Sequence, residues 1–191
     1  MYYWRLSGFY LFYFASLGAL IPYWGLYLQS LGFGAVEIGE LVAIIMATKI
    51  VAPNVWGWIA DHTGQRMIIV RLASLLSIVC FAGVFIASGF WWLVLVMVTF
   101  SFFWNASLPQ FEATTMNFLG HETHRYNTIR VWGSIGFVLV VILLGIAVDE
   151  RGPAIVLPVL FAIYLSIWLA SLIIKDPDIR SHAGAHASIL S

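Results

Sequence analysis

Three charged side chains interrupt long apolar stretches of this sequence, and they are the residues best placed to do chemistry: Glu112, Arg130 and Lys49. An ionised group in hydrocarbon costs several kcal/mol, so such residues face a protein interior or a water-filled cavity. Glu112 belongs to a polar series, Ser101, Asn105, Glu112 and Thr115, whose spacing puts all four on one helical face. Arg130, Ser134 and Phe137 form a second such face in the next apolar stretch. Arginine offers a carboxylate a planar, two-pronged donor. A Glu112–Arg130 pair beside a cavity can therefore grip a polar solute between its two charges. The same residues also suit a structural ion pair between helices, or an arginine at the cytoplasmic boundary. Lys49, in mid-block, suits neutralising a carboxylate, binding an anion or gating a cavity.

The elements that position these groups follow from composition. Of 191 residues, 62% are hydrophobic and 9% charged, against about a quarter charged in soluble domains. Apolar blocks fall near 6–28, 37–60, 67–89, 91–119, 128–148 and 153–174, each close to the roughly 20 residues that cross a bilayer as a helix. In lipid each span must satisfy its own backbone hydrogen bonds, and the alternation of a membrane β-barrel is missing. The expected fold is an all-α bundle of six transmembrane helices. Segment 175–191 is small, polar and aperiodic, and reads as a cytoplasmic linker.

With the N-terminus cytoplasmic, Arg5, Arg66, Arg71, Arg125, Arg130, Lys175 and Arg180 collect on one side and only Arg151 on the other. That asymmetry places both termini in the cytoplasm. Pro22 and Pro109 stand in the first helix of each three-helix set, compatible with a 3+3 inverted repeat. A net charge of zero implies no bulk affinity for nucleic acid or any other strongly charged partner. The single cysteine, Cys80, reads as a small core residue.

No enzyme is expected. Gly133-Ser134-Ile135-Gly136 superficially resembles a serine site, but every histidine falls in a loop or in the tail, so no span supplies a base. The glycines suit close helix packing instead. His121-Glu122-Thr123-His124 is one residue short of the zinc-peptidase spacing. His182 and His186 lack a third ligand, so neither a metal nor any other cofactor is expected.

Between the second and third blocks lies Gly57-Trp58-Ile59-Ala60-Asp61-His62-Thr63-Gly64-Gln65-Arg66, a tight charged turn. It resembles the signature loop of the major facilitator superfamily, G-x-x-x-D-x-x-G-x-R, at the expected place. The resemblance implies a secondary transporter in which Gly57, Asp61, Gly64 and Arg66 brace the cytoplasmic side during conformational change. Pro109-Gln110-Phe111-Glu112, followed by YNTIRVWGSIGF from Tyr126 to Phe137, is similar to the lactose permease-like (oligosaccharide–proton symporter) branch. It is more similar still to the 3-phenylpropionate transporter-like group. In that branch a Glu on the fourth helix and an Arg on the fifth clamp the substrate, and an aromatic residue beyond the Arg stacks on it. Glu112, Arg130 and Phe137 take those places. The first helix, around Phe14, Leu17, Gly18 and Pro22, matches the branch as well.

The resemblance covers nearly the whole chain as the N-terminal half of a twelve-helix protein. It implies a C-terminal six-helix partner, a location in the bacterial inner membrane and proton symport of a small solute. Substrate contacts are expected from Glu112, Arg130, Lys49, Asn105, Phe137 and Phe14. Aromatic acids, sugars and nucleosides remain open as substrates. A non-transporting structural or receptor-like six-helix subunit is the alternative.

Overall fold

The computed structural model describes residues 2–174. The expected linker, with His182 and His186, lies outside the described residues. Six helices follow one another: α1 (Tyr2–Ser30), α2 (Ala35–Thr63), α3 (Arg66–Phe81), α4 (Phe90–Leu119), α5 (Tyr126–Arg151) and α6 (Val156–Ile173). No strand occurs among the described residues. A 3-10 turn, Ala82–Phe85, extends α3, and short 3-10 turns precede α5 and α6.

Five of the six are long and apolar enough to cross a membrane. The exception is α2, as long as α1 but carrying Glu37, Glu40, Lys49 and Asp61. Three of these charges sit near its ends. Glu37 accepts the Gly34 N–H at 2.9 Å, a carboxylate at the positive end of the helix dipole. At the other end Gly64 adopts φ 67°, a left-handed backbone that any Cβ would strain, and its N–H reaches the Ala60 carbonyl at 2.9 Å. The glycine of the charged turn is thus needed to stop α2.

Packing follows a repeated plan. Helix α1 packs on α5 and α6, while α4 packs on α2 and α3. Exchanging the two three-helix sets (α1 for α4, α5 for α2, α6 for α3) converts one pattern into the other, as a 3+3 repeat requires. Pro22 and Pro109 stand in the second halves of α1 and α4. Pro158 falls in the first turn of α6, where the missing N–H costs little.

The α1–α5 seam is drawn tight by glycines. A Cβ on Gly136 would run into the Leu11 carbonyl, and one on Gly18 would come within 2.7 Å of the Phe137 carbonyl oxygen. Small residues at such crossings let backbones approach, which is how helices associate where water no longer drives them together. Tyr23 donates to the Val141 carbonyl at 2.6 Å near one end of the seam, and Tyr3 to that of Thr128 at 3.1 Å near the other. Between α1 and α4 the contact is aromatic instead, with Phe9 stacked on Phe111 and Tyr13 on Trp104. Arg71 of α3 donates to the Ile174 carbonyl at 2.6 Å, a cation on the negative end of α6.

Candidate functional site

Glu112 of α4 and Arg130 of α5 meet, as their residue types suggested. Arg130 Nε lies 3.3 Å from Glu112 Oε1, and the side chains are 35% and 34% exposed. The contact is through Nε rather than as the two-pronged fork arginine can form. Tyr126 donates its hydroxyl to the same Oε1 at 3.1 Å. Beneath the guanidinium lies α1: its carbon is 4.3 Å from the centre of the Phe14 ring and 5.8 Å from that of Tyr10. A cation over an aromatic face is attracted by the ring quadrupole. Tyr10 in turn donates to Thr115 at 3.3 Å. Three helices thus converge on one partly exposed ion pair.

Gly133 explains why Phe14 can lie there. A Cβ at 133 would come within 2.6 Å of the Phe14 ring, so the ring occupies space that a larger α5 residue would need. Phe137, two turns beyond Arg130 on α5, abuts Gly18 with its backbone.

Lys49 and Asn105 stand elsewhere. Both line a cavity of about 120 Å³ between α1, α2 and α4, with Tyr13, Trp24 and Trp104 in its wall. Asn105 Nδ2 donates to Thr48 Oγ1 at 3.2 Å, and the Thr48 and Ser101 hydroxyls lie 2.7 Å apart. The polar face of α4 is therefore divided. Ser101 and Asn105 bind α2, while Glu112 and Thr115 bind α5 and α1. Asn105 and Glu112 are two helical turns apart, about 10 Å along the axis.

At the charged turn, Arg66 reaches Asp61 at 2.5 Å and donates to Gln110 Oε1 of α4 at 3.1 Å. Gln110 is buried and packs near Gly57. The turn thus ties α2 and α3 to the helix that carries Glu112. Sequence reasoning missed Gln110, Tyr10 and Tyr126. Tyr126 had a usable signal, since it lies four residues before Arg130 and so on the same face. Gln110 had a weaker one: it is a polar residue off the α4 polar face, and nothing in its spacing points to Arg66.

A six-helix membrane bundle with an internal 3+3 repeat and a partly exposed ion pair between its fourth and fifth helices is the architecture of half a major facilitator protein. The chain belongs to the MFS_1 like family, which it matches over residues 3–187. It is 29% identical over 141 residues to the probable 3-phenylpropionic acid transporter of Escherichia coli (strain K12), covering 68% of this chain and 34% of that protein. It is 27% identical over 150 residues to the maltose permease of Geobacillus stearothermophilus, covering 78% of this chain and 38% of the relative. The chain therefore spans a little over a third of the length of these relatives. The crystal structure of the nucleoside transporter NupG superposes with a TM-score of 0.83 at 17% identity, over 94% of this chain and 45% of that one, a likeness of fold.

Proposed function

We propose that this chain is the N-terminal half of a secondary transporter that carries a small organic solute, such as an aromatic acid or a sugar, by proton-coupled symport. The observation that carries the reading is the Glu112–Arg130 pair. It is membrane-embedded, side-on and a third exposed, and so keeps hydrogen-bonding capacity that a closed structural pair would have spent. A solute gripped there lies against α1, α4 and α5, with its far side left for a second six-helix half. The two halves would rock about the solute to expose it to each side in turn. The Asp61–Arg66–Gln110 brace stands at the cytoplasmic end of this movement. The charge asymmetry supports cytoplasmic termini, and the resemblance supports a bacterial inner membrane.

The test is uptake into proteoliposomes by the protein assembled with its C-terminal half, scanning aromatic carboxylates, sugars and nucleosides. Glu112→Gln and Arg130→Gln should each abolish uptake of the accepted solute while the protein stays folded. If both variants lose stability but keep uptake, the pair is structural. If no solute moves at all, the chain is a non-transporting membrane subunit.

A further inference from the structure

Away from the Glu112–Arg130 pair, the start of α1 and the end of α6 leave an open groove of about 370 Å³ between them. Arg5 and Ile173 line its outer end, and Phe12 and Ser166 its deep end. On each helix that is a span of seven residues (12 − 5 and 173 − 166), about 10 Å. One leaflet of a bilayer offers roughly 15 Å of hydrocarbon. Trp4, 66% exposed, and Ile173, 57% exposed, flank the mouth, so the groove opens outward rather than into the bundle.

Gly8 makes the floor. A Cβ there would meet nothing within 4 Å, whereas one on Gly18, Gly133 or Gly136 would collide with the facing helix. A glycine inside a helix costs about 1 kcal/mol relative to alanine, and close helix approach, which favours glycine in membranes, does not occur at this one. Gly8 leaves space that no described residue fills.

The lining is graded along its length. At the mouth Arg5 brings a positive charge and forms no ion pair among the described residues. Helical side chains tilt toward the N-terminus, which carries its guanidinium toward the headgroups. Arg71, the other arginine near this end of α6, already donates to the Ile174 carbonyl. At the deep end the Ser166 hydroxyl donates to the Ala162 carbonyl at 2.8 Å. Gly8, Phe12 and Ala170 complete that end, so a polar group lodged there would find no partner. An amphiphile fits, with an anion at one end and hydrocarbon at the other. We propose that the groove holds an anionic phospholipid of the cytoplasmic leaflet, its phosphate on the Arg5 guanidinium and one acyl chain along Gly8, Phe12 and Ala170. Arginine meets phosphate with two parallel N–H donors, and basic pockets between helices on the cytoplasmic side suit anionic headgroups. The leaflet follows from the orientation proposed above. Binding itself needs neither solute nor a second half, because α1 and α6 supply the whole groove.

The experiment is native mass spectrometry of the protein purified in detergent, offered equal amounts of dioleoyl phosphatidylglycerol and dioleoyl phosphatidylcholine. The two lipids share their chains and differ in headgroup charge. Phosphatidylglycerol should be retained about fivefold over phosphatidylcholine, equivalent to the roughly 1 kcal/mol that one arginine contributes near anionic lipid. Arg5→Gln should bring the two lipids close to parity, and Arg5→Lys should keep part of the preference. Arg125→Gln removes an arginine outside the groove, paired with Glu122 at 2.9 Å, and should leave the preference intact. Gly8→Leu fills the floor and should lower retention of both lipids. Its side chain enters open space, so circular dichroism and thermal unfolding should stay as in the parent protein. Excess inorganic phosphate should displace neither lipid. Equal retention of the two lipids, no retained lipid, or a preference that survives Arg5→Gln overturns the site. An equal loss in Arg125→Gln would make the attraction diffuse, and displacement by phosphate would make the site one for free anions; either overturns it too. Unchanged retention in Gly8→Leu overturns the groove as the place of binding.

Discussion

Two arginine–carboxylate pairs in this protein use the same chemistry in different surroundings. Arg66 meets Asp61 at 2.5 Å in a turn where the aspartate is 64% exposed. Arg130 meets Glu112 at 3.3 Å between two membrane helices, with both partners about two-thirds covered. An exposed pair is worth roughly 0–1 kcal/mol, because water solvates either ion nearly as well as its partner does. The value of the first pair lies in orienting Arg66 so that its other prong reaches Gln110. For the second, water is a poor alternative, and removing one charge strands the other. The tighter contact is therefore the weaker contributor, and the looser one is where we propose that the solute binds.

The largest break in this comparison should come from Arg130→Gln, with an uptake loss of at least a hundredfold in the assembled protein. The charge-swapped double variant Glu112→Arg with Arg130→Glu sharpens the point. It should recover most of the stability lost in either single change, read by thermal unfolding in detergent, yet no uptake, since the solute would meet both charges reversed. Tyr126→Phe removes one hydrogen bond to an ionised acceptor, about 1.5–3 kcal/mol. It should weaken solute binding roughly tenfold while leaving the helical content unchanged.

Gln110→Ala should destabilise by about 1 kcal/mol through the lost Arg66 contact and slow uptake without altering solute affinity. A change in affinity would mean that the brace and the ion pair are not separate devices. Smallest is Asp61→Asn, under about 1 kcal/mol. That effect should shrink further as salt rises from about 0.01 to 1 M, whereas the partly covered Glu112–Arg130 pair should respond less.

The candidate site was legible in parts, and the parts follow a rule. Glu112, Asn105 and Thr115 could be placed on one face because helical periodicity is local. That Glu112 pairs with Arg130 could be guessed because lipid allows a lone carboxylate few alternatives. That Lys49 and Asn105 leave this pair and border a separate cavity could not be read, because spacing within a helix does not say which helix lies opposite. The same limit hid Gln110, whose partner is 44 residues away on the far side of a turn.

By itself the sequence determined that this is an all-helical, multi-pass membrane protein. Backbone hydrogen bonding in hydrocarbon leaves no other form for apolar blocks of this length. It also determined the tight turn, since Gly64 alone supplies the left-handed backbone between Asp61 and Arg66. Tertiary structure decided how the polar face of α4 is shared: its Ser101 and Asn105 end goes to α2, and its Glu112 and Thr115 end to α5 and α1. It decided as well that Gly18, Gly133 and Gly136 bring α1 against α5 closely enough to set Phe14 under Arg130. Those outcomes depend on how helix surfaces fit across a gap, and fit is a property of pairs of helices that no single helix encodes.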